Sequence, residues 1–178
     1  MKQRLSRDDW LAHALRTLAA EGAPALRADR MAKALGVSRG SFYWHFRDLD
    51  DLNAAVLELW RERTTEAVIA DVDAAAPADR LARLMAGAMT AEASLERAVR
   101  GWASTASAVA EVVDRVDRRR IAYLETLMAG GRNTRRARAA FVYWAYVGRV
   151  MSGVRSTSPD EAEIAKIAAL FDRDEAPR

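Results

Sequence analysis

Apolar side chains recur every three to four residues along most of this chain, which is the period of an amphipathic helix. The first such stripe is formed by Trp10, Leu11, Ala14, Leu15 and Leu18. Ser6 with Asp9 predicts the start of this helix, and Gly22 predicts its end. Nowhere do apolar and polar residues alternate with the period of two that a half-buried strand requires. The pattern therefore predicts an all-α protein.

The same periodicity predicts about nine helices in total. After the first, they lie at about 28–35, 38–46, 48–72, 78–91, 95–104, 108–129, 134–154 and 159–172. Pro77 and the glycines of the loop 129–133 mark two clear breaks between them. Ser158 is the predicted N-cap of the last helix, with Pro159 and Glu161 in its first turn.

Residues 28–46 have the form of two short helices joined by a turn at Gly36, and this is the pattern of a helix-turn-helix. Such a motif needs an inward apolar face that holds the two helices at a fixed angle. The residues predicted for that face are Met31, Ala32, Leu35, Val37, Phe42 and Phe46. Phe42 and Phe46 are four residues apart, so they share one side of the second helix.

The second helix also offers an outward face of small, polar and aromatic side chains. Its members are Ser38, Arg39, Gly40, Ser41, Tyr43, Trp44 and His45. Small residues let a helix approach the floor of a DNA groove, and arginine can bind a guanine edge. Tyr43 and His45 can donate hydrogen bonds to phosphate oxygens. Trp44 is expected either to lie against the sugar-phosphate edge or to pack back on the first helix.

The segment LRADRMAKALGVSRGSFYWHFRDLDDL resembles the DNA-binding signature of the TetR family of bacterial transcriptional repressors. The resemblance runs from about Ser6 to Leu52 and is most specific over 31–46. It implies a helix-turn-helix DNA-binding domain over 1–52, followed by a helical-bundle domain over 53–178 that binds an effector and dimerises.

Two positions depart from the family pattern. Arg27 stands where the family usually has a capping serine or threonine, so a cap is lost while a phosphate contact by arginine stays possible. Leu49 stands where the family often has a lysine that touches the DNA backbone. We expect Arg47 to replace that contact.

The resemblance also implies a homodimer on a pseudo-palindromic operator. The last two helices carry apolar and small residues that predict the interface. They are Ala140, Phe141, Val147, Gly148, Met151, Ile164, Ile167 and Phe171. The other interpretation of these residues is that they close the core of one subunit.

A pocket for a small, apolar or aromatic effector is expected between the helices of the second domain. The residues predicted to line it are Trp60, Met85, Met89, Trp102, Tyr123, Leu127, Met128 and Trp144. Taken singly, each of them is more often plain core than pocket lining. An alternative is a helix-turn-helix regulator without an effector, controlled by a protein partner or unregulated.

Charge is mildly positive overall, at +3, but it is unevenly distributed. Residues 27–47 hold five basic residues against Asp29, which favours an anionic partner such as DNA. A second basic group spans 118–138 and has Glu125 as its acid. Contact with DNA is one interpretation of this second group, but a TetR-like arrangement would place it far from the duplex, which favours solvation or pairing between subunits.

The remaining residues argue against an enzyme and against a membrane protein. The chain has two histidines and no cysteine, which excludes disulfides and thiol catalysis. Glu92 and Glu96 are interpreted as a solvated helix face, because neither is followed three residues later by the histidine of the Glu-x-x-His motif that di-metal sites use. We expect no metal and no cofactor. No apolar run of about 18 residues and no signal peptide is found, so a cytoplasmic location is expected.

Overall fold

A computed structural model describes residues 5–153 and 159–171, and within these ranges it holds nine separate helical runs and no strand. The α-helices are α1 (Arg7–Glu21), α2 (Ala28–Ala34), α3 (Arg39–Tyr43), α4 (Leu49–Arg61), α5 (Ala67–Asp73), α6 (Arg80–Thr90), α7 (Ser94–Ala103), α8 (Ser107–Leu127), α9 (Arg132–Ser152) and α10 (Glu161–Phe171). A π-helical turn, Glu62–Glu66, joins α4 and α5 into one run. Short 3-10 turns lie at Ala23–Ala25 and Pro77–Asp79. The predicted all-α class and helix count are confirmed.

The start of α1 is the predicted capping box. The Ser6 hydroxyl accepts from the Asp9 N–H at 3.2 Å, and a carboxylate oxygen of Asp9 accepts from the Ser6 N–H at 2.8 Å. These hydrogen bonds to Ser6 lower the pKa of Asp9. At the other end, Gly22 adopts φ +80° and its N–H donates to the Leu18 carbonyl at 2.9 Å. Local sequence therefore sets both ends of this helix.

Two compact units make up the chain. The first takes the chain up to Arg63 together with Ser94–Val113, and the second takes Thr64–Ala93 together with the chain from Asp114 onward. These units divide the chain differently from the boundary expected after residue 52, because α7 packs against α1 and so belongs with the N-terminal helices.

The first unit is built around large buried side chains of α1, α3 and α4. Trp10, Phe42 and Trp60 are fully buried, and the Trp10 and Phe42 rings meet edge to face with centroids 5.6 Å apart. Such edge-to-face pairs are favourable beyond the area they bury. The carboxylate of Glu96 on α7 is also buried here, so the interpretation of Glu96 as part of a solvated face was wrong.

The second unit packs α6 against α5 and α10. Its buried cluster consists of Leu81, Leu124, Met128, Ala139, Tyr143 and Ala168. The end of α10 is tied to the loop before α9: the Ala129 N–H donates to the Phe171 carbonyl at 3.1 Å. Arg138 donates to the carbonyls of the same two residues at 2.8 and 3.4 Å.

The last helix begins later than predicted. Asp160 and Glu163 cap α10 reciprocally: the Asp160 N–H donates to Glu163 at 2.9 Å, and the Glu163 N–H donates to Asp160 at 2.8 Å. Pro159 therefore lies before the helix instead of at its first position. Ser158, the predicted cap, lies outside the described residues. In the ranges that the structure covers, no helix is long and apolar enough to cross a membrane.

Candidate nucleic-acid interface

The turn between α2 and α3 has the geometry that only glycine adopts readily. Gly36 has φ +68°, and its N–H donates to the Lys33 carbonyl at 3.2 Å. The next N–H, of Val37, donates to the Ala32 carbonyl at 3.0 Å. These two bonds form a Schellman motif, which satisfies the last carbonyls of α2 and turns the chain sharply. The glycine at 36 thus sets where α3 begins.

Phenylalanine side chains hold α3 against the rest of the first unit. Phe42 is fully buried, with its ring 5.3 Å from that of Phe46 and 5.6 Å from that of Trp10. The Arg7 guanidinium lies 5.0 Å from the centre of the Phe46 ring. Met31 and Ala32 of the predicted inward face are buried as well, whereas Leu35 and Val37 are half-buried.

The opposite face of this segment is open to solvent. Tyr43 is 51% exposed and Trp44 is 77% exposed, so most of the Trp44 surface is open to solvent. Arg39 and Gly40 are exposed too, whereas Ser41 and His45 are half-buried. The structure therefore brings the predicted DNA-facing residues to one surface, with two of them less accessible than expected.

Arg39 and Tyr43 interact on this surface. The Arg39 guanidinium donates to the Tyr43 hydroxyl at 3.0 Å and lies 5.7 Å from the centre of its ring. They are four residues apart, so both point from the same side of α3. A guanidinium held in one place loses less conformational entropy when it binds an acceptor.

Ser38 occupies the N-cap position of α3, but its side chain makes no capping hydrogen bond. A Cβ atom added to Gly40 would lie 3.7 Å from the Ser38 hydroxyl oxygen, which is an ordinary contact distance. The first turn of α3 therefore presents a small, uncrowded polar surface.

Arginines also stand at the start of α2 and after the end of α3. Arg27 is at the N-cap of α2 without a side-chain capping bond, and it forms an exposed ion pair with Asp29 at 3.5 Å. The Arg47 side chain is exposed, and its Nε lies 3.7 Å from a carboxylate oxygen of Asp51. Exposed ion pairs of this kind are weak, so either arginine can exchange its carboxylate for a phosphate.

The residues predicted to line an effector pocket divide between the two units. Trp60 and Trp102 lie in the first unit, where Trp60 is fully buried. Met85, Leu127 and Met128 lie in or against the buried cluster of the second unit. Met89 is half-buried, and Tyr123 is buried with its hydroxyl donating to Asp73 at 2.8 Å. Trp144 is 67% exposed, so it lies on the surface of the second unit.

The residues predicted for the dimer interface are partly exposed and partly core. Exposed positions on α9 and α10 are Phe141, Gly148, Met151 and Ile167, and the large side chains of Trp144 and Leu170 are exposed on the same two helices. Ile164 is 3% exposed and belongs to the interior of the second unit, which corrects its assignment to the interface. Ala140, Val147 and Phe171 are half-buried.

Sequence reasoning missed the buried polar group around Glu96. This carboxylate accepts hydrogen bonds from Trp60 at 3.0 Å and from Arg100 at 2.9 Å. The sequence offered one signal for this burial: Glu96 lies three residues before the apolar Val99. Residues three apart share a helix face, so the two side chains were expected on the same side of the helix. Across the described residues, no group of three or more metal-binding side chains is found.

The helix-turn-helix segment matches a known family by sequence. Residues 11–56 match the family of bacterial regulatory proteins called tetR. Over 46 residues the chain is 44% identical to the HTH-type transcriptional regulator AcrR of Shigella flexneri. That match covers 26% of this chain and 21% of AcrR, so the chain spans about a fifth of the length of this relative.

Solved structures show the same fold over nearly the whole chain. The reduced form of NemR from E. coli superposes with a TM-score of 0.76 at 16% identity, covering 96% of this chain and 99% of NemR. The multidrug binding protein EbrR, complexed with imidazole, superposes with a TM-score of 0.65 at 22% identity, covering 98% of each chain. At these identities the likeness concerns the fold. Together with this shared fold, the sequence match identifies residues 11–56 as a helix-turn-helix segment of the tetR family of bacterial regulatory proteins.

Proposed function

We propose that this protein is a transcriptional repressor that binds a pseudo-palindromic operator as a homodimer and is released by a small apolar or aromatic effector. The observation that carries the proposal is the outward face of α3, where Arg39 is held by Tyr43 beside an exposed Trp44. This face has an arginine for a base edge and aromatic and hydroxyl groups for the backbone.

On DNA, the first turn of α3 would enter the major groove. Gly40 and Ser41 are small residues, so this turn can approach the groove floor closely and Arg39 can reach a guanine. Tyr43 would donate a hydrogen bond to a phosphate. Arg27 and Arg47 would bind phosphates on either side and fix the orientation of the helix without reading sequence. Such a protein would act in the cytoplasm, where bacterial DNA lies.

The exposed apolar face of α9 and α10 supports the homodimer. Phe141, Trp144 and Leu170 are large apolar side chains with more than half of their surface open to solvent. Large exposed apolar side chains on the same pair of helices are typical of an interaction surface. A two-fold dimer would then place two copies of α3 in successive major grooves, about 34–36 Å apart.

Effector binding is proposed for the second unit. Met85, Leu127 and Met128 offer flexible apolar side chains there, and methionine adapts its shape to varied ligands. EbrR, which shares the fold, is described as a multidrug binding protein. The helical run from Leu49 to Asp73 has no loop, so a tilt at its C-terminal end would be carried to the helix-turn-helix. The two recognition helices would then lose their match to the operator.

Selection of duplexes from a random pool, followed by binding titrations at a stated salt concentration, tests this proposal. Arg39→Ala and Tyr43→Ala are each expected to weaken binding about 5- to 150-fold, the range of one lost base or backbone contact. Arg16→Ala removes the same charge from an exposed position on α1 and is expected to change affinity less than twofold. Equal affinities for all four proteins would overturn the assignment of α3 as recognition helix.

Release is tested with the selected duplex and a panel of apolar and aromatic compounds. Calorimetry identifies the compounds that bind the protein, and these are expected to lower its affinity for the duplex. If compounds bind and affinity stays the same, the effector part of the proposal fails. The regulator would then be one controlled by a protein partner or unregulated.

A further inference from the structure

Three of the four arginines between residues 27 and 47 form ion pairs with carboxylates. The pairs are Arg27–Asp29, Arg30–Glu21 and Arg47–Asp51. Arg39 is different, because among the described residues its guanidinium forms no ion pair. The acceptor that it binds is the neutral hydroxyl of Tyr43, at 3.0 Å. The positive charge of Arg39 is therefore held in place without being neutralised.

The Tyr43 ring is itself positioned by the interior of the first unit. It meets the Phe42 ring edge to face, with centroids 5.2 Å apart and planes at 87°. Phe42 is fully buried, whereas the hydrogen bond between Tyr43 and Arg39 is exposed. The Arg39 guanidinium also lies 5.7 Å from the centre of the Tyr43 ring. A buried ring thus positions an exposed ring, which in turn positions the guanidinium.

Both partners of this contact keep hydrogen-bonding groups that DNA can use. A guanidinium has five N–H donors, so the bond to Tyr43 leaves four of them. Guanine presents two acceptors in the major groove, O6 and N7, and arginine can bind both at once. The Tyr43 hydroxyl accepts from Arg39 and keeps its own proton, which it can donate to a phosphate.

A neutral acceptor suits base recognition better than a carboxylate would. A carboxylate neutralises the guanidinium and competes strongly with guanine for its donors, since hydrogen bonds between two ionised groups are the strong ones. A hydroxyl competes less, yet it still restricts the side chain. A restricted side chain loses less conformational entropy when it binds. The contact therefore lowers the cost of binding guanine and leaves the donors that bind it available.

We propose that Tyr43 is a positioning residue for base recognition: its hydroxyl holds the Arg39 guanidinium in the orientation that binds guanine. Tyr43 then determines how strongly the protein discriminates guanine from other bases, in addition to any contact with a phosphate. This inference rests on the DNA binding proposed above and adds the group that sets its specificity.

Tyr43→Phe tests this inference, because it removes the hydroxyl and keeps the ring that packs on Phe42. Kd is measured at one salt concentration for the selected duplex and for duplexes with one base pair changed. The ratio of the two Kd values is the preference at that base pair. Arg39→Ala identifies the base pair that Arg39 reads, which we expect to be G·C, because its preference there should fall about 5- to 150-fold.

At that same base pair, Tyr43→Phe should lower the preference about 2- to 12-fold, which is the worth of one neutral hydrogen bond. Preferences at the other base pairs should stay at their wild-type values. In the Arg39→Ala background, Tyr43→Phe should not change the preference further, because the hydroxyl acts through the guanidinium.

Arg47→Ala is the comparison for a contact with the backbone alone. It removes an arginine that is proposed to bind a phosphate, so it should weaken binding to every duplex by the same factor. Its preference at the base pair read by Arg39 should equal that of the wild type.

Three results separate this inference from the proposed function. A preference lowered by Tyr43→Phe only at the base pair that Arg39 reads supports the positioning role. If Tyr43→Phe weakens all duplexes alike, or leaves that preference unchanged or higher, the positioning role is overturned and Arg39 still reads the base. If Arg39→Ala loses no base preference, Arg39 does not read a base, and both the proposed contact with guanine and this inference fail.

Discussion

The indole N–H of Trp60 donates to a carboxylate oxygen of Glu96 at 3.0 Å, and both side chains lie in the interior of the first unit. The other carboxylate oxygen accepts the Arg100 Nε at 2.9 Å. Trp60 is at the end of α4 and Glu96 is at the start of α7. The buried carboxylate therefore joins the helix that follows the helix-turn-helix to a helix 36 residues away in sequence.

Removing Glu96 is expected to destabilise the protein strongly. Glu96→Ala removes the carboxylate that lies 2.9 Å from the Arg100 guanidinium, which is 11% exposed, and breaking a buried pair from one side costs about 3–5 kcal/mol. Replacing both residues, as in Glu96→Met with Arg100→Met, removes both charges and should recover much of that loss. Urea unfolding measures the free energy of unfolding of each variant.

Glu111→Gln is the matched control for this prediction, because Glu111 is an exposed carboxylate in the same unit. It should change the free energy of unfolding by no more than about 0.5 kcal/mol. A Glu96→Ala protein as stable as this control would show that Arg100 finds another acceptor or moves to solvent.

Gly40→Ala is expected to separate folding from DNA binding. Gly40 lies in α3, and its added Cβ would meet nothing closer than 3.7 Å, so alanine should stabilise the helix by about 0.5–1 kcal/mol. The extra methyl group would stand between α3 and the groove floor and should weaken DNA binding. Thermal unfolding and a binding titration on the same sample measure both effects.

Gly36→Ala, in contrast, should lower the stability of the protein. A Cβ at Gly36 has open space around it, but φ +68° is strained for alanine, which costs about 1 kcal/mol. The loss should appear as a lower midpoint of unfolding. If Gly36→Ala is as stable as the wild type, the turn relaxes without needing the left-handed conformation.

Tyr123 predicts a loss of stability at high pH. Burial, together with the hydrogen bond to Asp73, raises the pKa of Tyr123 to about 12. An unfolded tyrosine has a pKa of about 10, so the folded state holds this proton more tightly. The resulting stability is fully present below pH 10 and is lost as pH rises towards 12. Urea unfolding measures the free energy of unfolding at pH 9 and at pH 11.5. Between these two pH values it should fall further for the wild type than for Tyr123→Phe. Parallel decreases in the two proteins would contradict this assignment.

Arg120 is expected to stabilise the π-helical turn between α4 and α5. Its guanidinium donates to the hydroxyls of Thr65 and Thr64 at 2.9 and 2.8 Å, and Thr65 is buried. Arg120→Met removes both donors and should lower the free energy of unfolding by about 1–3 kcal/mol. Arg115→Met, at an exposed position of the same helix, is the comparison and should be nearly neutral. Equal stability of the two variants would show that the turn does not depend on Arg120.

Much of the fold follows from short-range sequence. The Ser6 and Asp9 cap, the Gly36 turn and the shared face of Phe42 and Phe46 each depend on residues within five positions of one another. Backbone geometry decides such features locally, so the sequence predicts them. The outward position of Arg39 and Tyr43 follows in the same way, because it is the complement of the buried face.

Other features depend on which helices meet, and the sequence pattern does not contain that information. Ile164 and Ile167 are both apolar residues of α10, yet the first is buried and the second is exposed. Glu96 is a charged residue that the tertiary structure buries, because Trp60 and Arg100 supply its hydrogen bonds from the neighbouring helix and from its own. The sequence by itself determined the helices, the caps of α1 and the outward side of α3, since these are set by the backbone within a few residues. The tertiary structure decided which apolar faces are core and which carboxylate is buried, since burial depends on contacts between residues that are distant along the chain.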